Sequence, residues 1–232
     1  MSEQVYGRNS FLEALNSGRI RKAYVTKDSS FIRELERKGI DYEIVNKARL
    51  DAMTRGGNHQ GLVAEVLEYK TVEVEEMLKE KDGLIVVLDG LKDPHNLGAI
   101  IRTCECAGVD GVIYKKHNSV KLNDTVAKVA SGALEYVKVA EVTNIVNTLR
   151  KLKEKGYWVV GTDGNSKDLY DRIDYDMNTV LVIGSEGEGI SRLVKEECDF
   201  MVKMPMYGRI NSLNASVAAA IMIYNVLSCR QR

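Results

Sequence analysis

An α/β chain in two units, the larger built on a mostly parallel sheet, is what this sequence predicts, and three observations predict it. The 232 residues exceed one average domain of about 150 without reaching two. From residue 84 onward, apolar strand patterns alternate with helical ones, the rhythm of a parallel sheet covered on both faces. Two of those strands, LIVVL and VLVI, are unbroken apolar runs, as strands buried on both faces must be. With 44% hydrophobic and 28% charged residues the composition is ordinary for a globular protein, and a chain of this size buries roughly 70% of its unfolded surface.

The first unit is expected over 1–67. Asn9 or Ser10 is suited to cap a helix that buries Phe11, Leu12 and Leu15 and stops at Gly18. A strand follows at Ala23–Thr26, then a charged helix opened by Ser29 or Ser30 and ended by Gly39, then a strand at Tyr42–Val45. A helix over Ala48–Met53 leads through RGGNHQG to the strand GLVAEV. Residues 68–81 turn acidic and are read as a linker. The second unit, 82–232, carries strands near 84–88, 111–114, 136–140, 157–162, 179–184 and 200–203, with helices at 97–107, 124–130, 144–155 and 189–196.

Charge narrows the function classes. Thirty-three Lys and Arg balance 33 Asp and Glu, so binding to polyanions through the overall field is excluded and any nucleic acid must be met by a local patch. Two stretches, 1–27 and 115–128, each hold a local basic surplus, offset partly by the acidic 163–176. The longest nearly apolar run, Ala215–Leu227, falls short of the ~20 residues of a membrane span and reads as a buried helix. The N-terminus has no apolar leader segment, so a cytoplasmic protein is expected. Cys104, Cys106, Cys198 and Cys229 match neither a zinc nor a redox spacing and are expected reduced and mostly buried; His59, His95 and His117 lie too far apart to suggest a metal site.

Ligands of open α/β sheets sit beyond the C-terminal strand ends, so the loops after Leu88, Val160 and Ile183 are where chemistry is expected. The first reads LDGLKDPHNLGAIIRT. Asp93-Pro94 makes a turn, Asn96 can cap the next helix, and Arg102 follows six residues later; a capped helix with a surface Arg explains them equally well. The second, VLVIGSEGEGIS, has the spacing G-x-x-G-x-G, unlike a dinucleotide loop, and Glu186 at its centre would repel phosphate and suits a cationic or hydroxyl-bearing ligand. A tight strand-to-helix connection remains open. The third, MPMYGRINSLNASVA, combines Met204, Met206 and Leu213, apolar groups whose exposure would be costly, with Ser212 and Asn214 at a helix entrance; a cap beside core methionines is the alternative.

In this order, D-P-H-N-L-G with Arg102, then G-S-E-G-E-G, then M-P-M-Y-G with S-L-N, the three segments resemble the motifs of the SpoU (TrmH-like) RNA 2′-O-ribose methyltransferases. VYGRNSFLEAL and NHQGLVAEV resemble that family's substrate-binding domain, so the likeness spans nearly the whole chain. The resemblance implies a small N-terminal α/β RNA-binding domain and an α/β methyltransferase domain whose C-terminal segment forms a deep trefoil knot. It further implies S-adenosyl-L-methionine as donor and a homodimer. Carried over by motif, Asn96, Arg102, Glu186, Ser212 and Asn214 form the reaction site, while Thr162, Gly184, Met204 and Leu213 hold the donor. The nearest subgroup methylates a guanosine ribose of 23S rRNA; a tRNA ribose, or an inactive RNA-binding module of the same fold, is the alternative. Cys104 and Cys106 stand where the family commonly has alanine, and Ala215 where it has valine, all small-residue changes beside the motifs.

Overall fold

The computed structural model describes residues 3–67 and 69–230. Its contacts divide the chain into two compact units, Met1–Tyr69 and Lys70–Arg232.

In the first unit, β1 (Glu3–Tyr6), α1 (Arg8–Asn16), β2 (Ile20–Val25), α2 (Ile32–Arg37), β3 (Asp41–Ile44), α3 (Lys47–Met53) and β4 (Leu62–Val66) follow in order. The sheet runs β1-β4-β2-β3, with β4 antiparallel to both β1 and β2 and β3 parallel to β2. Phe11, Leu15, Val25, Leu35 and Val66 fill its core, and the rings of Phe11 and Phe31 meet edge to face at 5.3 Å. Neither Asn9 nor Ser10 caps α1. Gly7 does, at φ +83, where a side chain would be strained and its Cβ would come within 3.2 Å of the Asn58 carbonyl oxygen. Likewise α2 starts at Ile32 with no side-chain cap, and Ser29 Oγ accepts only a long 3.4 Å bond from Phe31 N. His59 is buried in RGGNHQG: its Nδ1 accepts from Gly61 N at 3.0 Å, so the proton sits on Nε2, 3.0 Å from Asp51 Oδ1, and the ring holds the loop entering β4.

The second unit contains β5 (Leu84–Asp89), α4 (Pro94–Cys106), β6 (Gly111–Lys115), α5 (Asp124–Ala130), β7 (Val139–Val142) and α6 (Ile145–Glu154). After these come β8 (Trp158–Thr162), β9 (Asp168–Leu169), β10 (Thr179–Gly184), α7 (Arg192–Lys195), β11 (Phe200–Lys203) and α8 (Ala215–Arg230). Seven strands form one sheet, β7-β6-β5-β10-β8-β11-β9, with every pair parallel. The period-two pattern of β5 shows why both faces are covered: Leu84, Val86 and Leu88 enter one core with Ile100, Ile101, Met222 and Ile223, while Ile85 and Val87 enter the other with Ile145, Leu149 and Leu152. Each such buried aliphatic side chain contributes about 1.5–3 kcal/mol. At the far end of α8, the Arg230 guanidinium donates to the carbonyls of Asp82, Gly83, Tyr175 and Met177 at 2.7–3.1 Å, tying the last helix turn to the chain entering β5 and β10.

Several expectations shift. The strand near 136–140 is β7 at Val139–Val142, because a 3-10 turn at Ala133–Glu135 leaves Tyr136 exposed. The helix placed at 189–196 shrinks to the single turn α7, since Gly189 and Ile190 still belong to the preceding loop. Of the stretch 68–81 read as a linker, Glu68 lies outside the described residues; Val72 N donates to Val139 O at 2.9 Å and Met77 is buried among Ile85, Val87 and Ile113. Only Cys104 is fully buried among the thiols; Cys106 is exposed and Cys198 and Cys229 are half-buried, all four free. Burial pushes the Cys198 thiol up to about 12 and Cys104 further still. Among the described residues, no helix is long and apolar enough to cross a membrane.

Candidate active site

Three loops meet where β5 and β10 end. β10 runs apolar to Gly184 and then folds back on itself: Ser185 and Gly189 exchange both backbone hydrogen bonds, at 3.1 and 3.0 Å. This reversal closes so tightly over Gly184 that a Cβ there would lie 2.1 Å from the Gly189 carbonyl carbon and 2.3 Å from Ile190 N. Only glycine fits. Its neighbour strand braces the loop, because Asp89, buried at the end of β5, accepts from Ser191 N at 2.7 Å. The turn then holds Glu186 at its exposed tip.

The second loop leads into α4. Asp93 caps that helix by accepting from His95 N at 2.9 Å, and Pro94 occupies its first position, where a missing N–H costs nothing. Asn96 therefore does not cap α4, as its sequence position suggested; it lies inside the first turn, buried, with its amide free for other work. Its Nδ2 donates to Glu186 Oε1 in a short hydrogen bond, and its Oδ1 accepts from Asn214 Nδ2 at 2.9 Å. The carboxylate of Glu186 takes only donors, so this sets the amide's orientation.

The third loop enters α8. Asn214 caps it, with Oδ1 accepting from Ser216 N at 2.9 Å and from Ser216 Oγ at 2.6 Å, while its own carbonyl accepts from Ala218 N. One amide thus closes a helix and reaches α4. Glu186, Asn96 and Asn214, in that order, form a continuous chain of two hydrogen bonds centred on the buried Asn96 amide.

Beside this chain opens a cavity of about 480 Å³, within the usual range for small-molecule sites. Thr162, Gly184, Met204 and Leu213 line it together with Glu186 and Ser212. Met206 and Leu213 are more than a third exposed, contrary to the expectation of burial, because they wall an open cleft. Two further lining residues escaped sequence reasoning: Asp163, past β8, and Lys195 on α7 form an ion pair. Lys195, together with Asn165 N at 2.9 Å, holds the Asp163 carboxyl below its ordinary range. Their 32-residue separation leaves no sequence signal. Arg102 is not gathered into the cluster. It lies exposed on α4, roughly 9 Å along the axis from Asn96 at 1.5 Å per residue, with Ser131 Oγ 3.5 Å from its Nη1.

Apolar walls at Ile183, Met204 and Leu213, the carboxylates of Glu186 and Glu188, and Gly164 and Gly187, where a Cβ would meet nothing within 4 Å, suit an amphipathic ligand bearing positive charge. The family model of the SpoU rRNA Methylase family matches residues 83–224, and that of RNA 2′-O ribose methyltransferase substrate binding matches residues 4–72. The chain belongs to the SpoU methyltransferase family. A TrmH family tRNA/rRNA methyltransferase of Bacillus subtilis, YacO, is 42% identical over 97% of this chain and 96% of its own. A Staphylococcus aureus relative of the same family is 44% identical over 97% of this chain and 96% of its own. Among solved structures, the SpoU methyltransferase AviRb of Streptomyces viridochromogenes in complex with AdoMet aligns over 99% of this chain and 91% of its own, with TM-score 0.73 and 24% identity. The AdoMet-bound rRNA methyltransferase of Sinorhizobium meliloti aligns over 98% and 87%, with TM-score 0.69 and 25% identity. As a SpoU-family member this chain is an S-adenosyl-L-methionine-dependent RNA methyltransferase, and its cavity, with apolar walls and acidic groups for a sulfonium, fits that donor.

Proposed function

We propose that this SpoU-family enzyme methylates the ribose 2′-hydroxyl of a guanosine in 23S rRNA, as a cytoplasmic homodimer. The observation that carries the reading is the hydrogen-bonded chain Glu186–Asn96–Asn214, whose Glu186 also lines the donor cavity. In this reading Thr162, Gly184, Met204 and Leu213 hold the donor, whose sulfonium supplies an electrophilic methyl group. Asn96, Glu186, Ser212 and Asn214 keep the donor loops and the attacking hydroxyl in register, where a misplacement near 1 Å costs about 100-fold. A guanidinium keeps its proton across the physiological range and is a poor base. Arg102 accordingly orients the ribose or grips an adjacent phosphate through its planar fork and stabilises the alkoxide as the proton leaves to phosphate or water.

The dimer reading draws on α8, whose Val217, Ile221 and Tyr224 recur on one face at four- and three-residue steps and are 47%, 36% and 51% exposed. A threaded C-terminus is part of the same reading: β10 lies between β5 and β8, and α8 returns to pack on α4 and β10. The match over residues 4–72 supports an RNA substrate, and the rRNA reading draws on the SpoU rRNA Methylase family match over residues 83–224. A tRNA target is favoured by the A. aeolicus TrmH/SpoU tRNA modifying enzyme, at 34% identity and TM-score 0.60 over 67% of this chain and 80% of its own, and by the tRNA/rRNA names of the relatives.

Mapping ribose methylation in rRNA and tRNA from a deletion strain tests the substrate; loss of one 23S guanosine mark is expected, and an unchanged rRNA pattern overturns the choice. Purified Arg102→Ala should lose turnover while binding S-adenosyl-L-methionine as the native protein does. Wild-type turnover in that variant would remove Arg102 from the site.

A further inference from the structure

A second cleft opens one strand away from the polar cluster, and the reaction has no evident use for it. It measures about 380 Å³ and is lined by Lys92, Asn118, Ser119 and Val120. The loops that form it follow adjacent parallel strands, β5 and β6, which pair Leu88 with Tyr114. They are stitched together at one acceptor: the Leu91 carbonyl receives Ser119 Oγ at 3.0 Å and Val120 N at 2.8 Å. Asn118, between them and the strand, is held at φ +58, a left-handed conformation that asparagine tolerates better than most residues and that the paired loops keep in place.

Lys92 is the charged group that lines this cleft, and Lys121 follows Val120 in the same loop; both are exposed, and among the described residues their side chains have no ion-pair or hydrogen-bond partner. Lys116 lies 3.8 Å from Glu141 and is partly neutralised. The nearby carboxylate of Asp93 is engaged in capping α4. An unpaired lysine beside the Asn118 amide, in a cleft at the C-terminal edge of a parallel sheet, suits a phosphodiester.

We infer that the Lys92–Asn118–Ser119 cleft, with Lys121 at its rim, binds a backbone phosphate of the RNA next to the nucleotide being methylated. This rests on the RNA substrate proposed above and adds the place where the strand is held. β10, whose loop carries Glu186 of the polar cluster, and β6, whose loop carries the cleft, flank β5, so two strand spacings of about 4.8 Å put the two loops about 10 Å apart along the sheet edge. A ribose at Asn96 then has its neighbouring phosphate directed toward Lys92, four residues earlier in the same loop. Phosphate contacts of this kind set register and orientation without reading sequence, which leaves choice of target to the rest of the protein.

The test is the salt dependence of binding to a short unstructured RNA of mixed sequence, compared among the native protein, Lys92→Ala/Lys121→Ala, and the control Lys151→Ala/Lys155→Ala, which removes equal charge from exposed positions on α6 and at its C-terminal cap. For single strands the slope of log affinity against log salt shrinks by about 0.7 for each phosphate that the protein no longer neutralises. That shallower slope is expected in the cleft variant alone, with donor affinity by calorimetry unchanged in all three proteins. If the native protein binds RNA and the cleft variant keeps its slope, or the control slope shrinks as much, the cleft assignment fails while the methyltransferase reading stands. If the native protein binds no RNA, the reading itself fails and takes the cleft with it. Saturable binding of inorganic phosphate that the cleft variant abolishes without any change in RNA slope would overturn the RNA assignment in favour of a free anion.

Discussion

The side-chain carbonyl of Asn96 accepts a hydrogen bond of 2.9 Å from the Asn214 amide, joining the first turn of α4 to the cap of α8 across 118 residues of chain. Because Asn96 also donates to Glu186, one buried amide holds three loops in mutual register. Asn96→Ala removes two hydrogen bonds of a buried amide whose partners are exposed to water, a cost of about 0.5–1.5 kcal/mol per bond in stability. Turnover should fall by at least about a hundredfold, as expected when loops shift by about 1 Å. Asn96→Asp preserves shape but sets a second carboxylate against Glu186, so it should be no better. Thermal unfolding and single-turnover methylation measure the two effects; native turnover in Asn96→Ala would show the network to be structural only.

Gly184→Ala tests the reversal that closes over the end of β10. The new methyl would meet the backbone of Gly189 and Ile190 at 2.1–2.5 Å, and neither can rotate aside as a side chain could. Overpacking of this kind costs about 1–3 kcal/mol or more. The loop must open, so donor affinity by calorimetry should drop by more than tenfold while the helices, read by circular dichroism, persist. Unaltered affinity would mean that the loop's closed shape is irrelevant to the cavity.

The ion pair of Asp163 and Lys195 makes a prediction about pH. In the folded protein the Asp163 carboxyl is held below its usual value of 3.8, chiefly by Lys195 and then by Asn165 N. A carboxyl with a lowered folded pKa adds stability that is complete above its unfolded value and is lost as pH falls through the folded one. The pair therefore steadies the cavity wall at neutral pH and releases it in acid. Lys195→Met should raise the Asp163 titration, followed by carbon-detected NMR of its carboxyl, back toward 3.8, and should weaken donor binding at neutral pH. An Asp163 titration unmoved by the substitution would assign the depression to the Asn165 backbone amide alone.

Local pattern made much of this molecule legible. Apolar runs such as LIVVL located β5 because a strand buried on both faces has no polar side to show, and Asn144 and Asn123 cap α6 and α5 where helical periodicity begins. Signals that compete locally were misread. Asp93, Asn96 and the intervening Pro94 offer two caps for one helix; the choice fell to Asp93 because Asn96 finds better partners in Glu186 and Asn214, which lie far along the chain. Gly7 displaced Asn9 and Ser10 at α1 for a similar reason, since the turn from β1 requires positive φ.

Taken by itself, the sequence determined the alternation of strands and helices, the three polar loops at strand ends and, through their order, the resemblance to SpoU methyltransferases. Hydrophobic period and turn chemistry are properties of neighbouring residues, so they survive in one dimension. Strand order, the meeting of Asn96 with Glu186 and Asn214, the pairing of Asp163 with Lys195 and the cleft at Lys92 were decided only by the tertiary structure. Each depends on which strands become neighbours in the sheet, and that is settled by packing two apolar faces at once, a choice that no single stretch of chain contains.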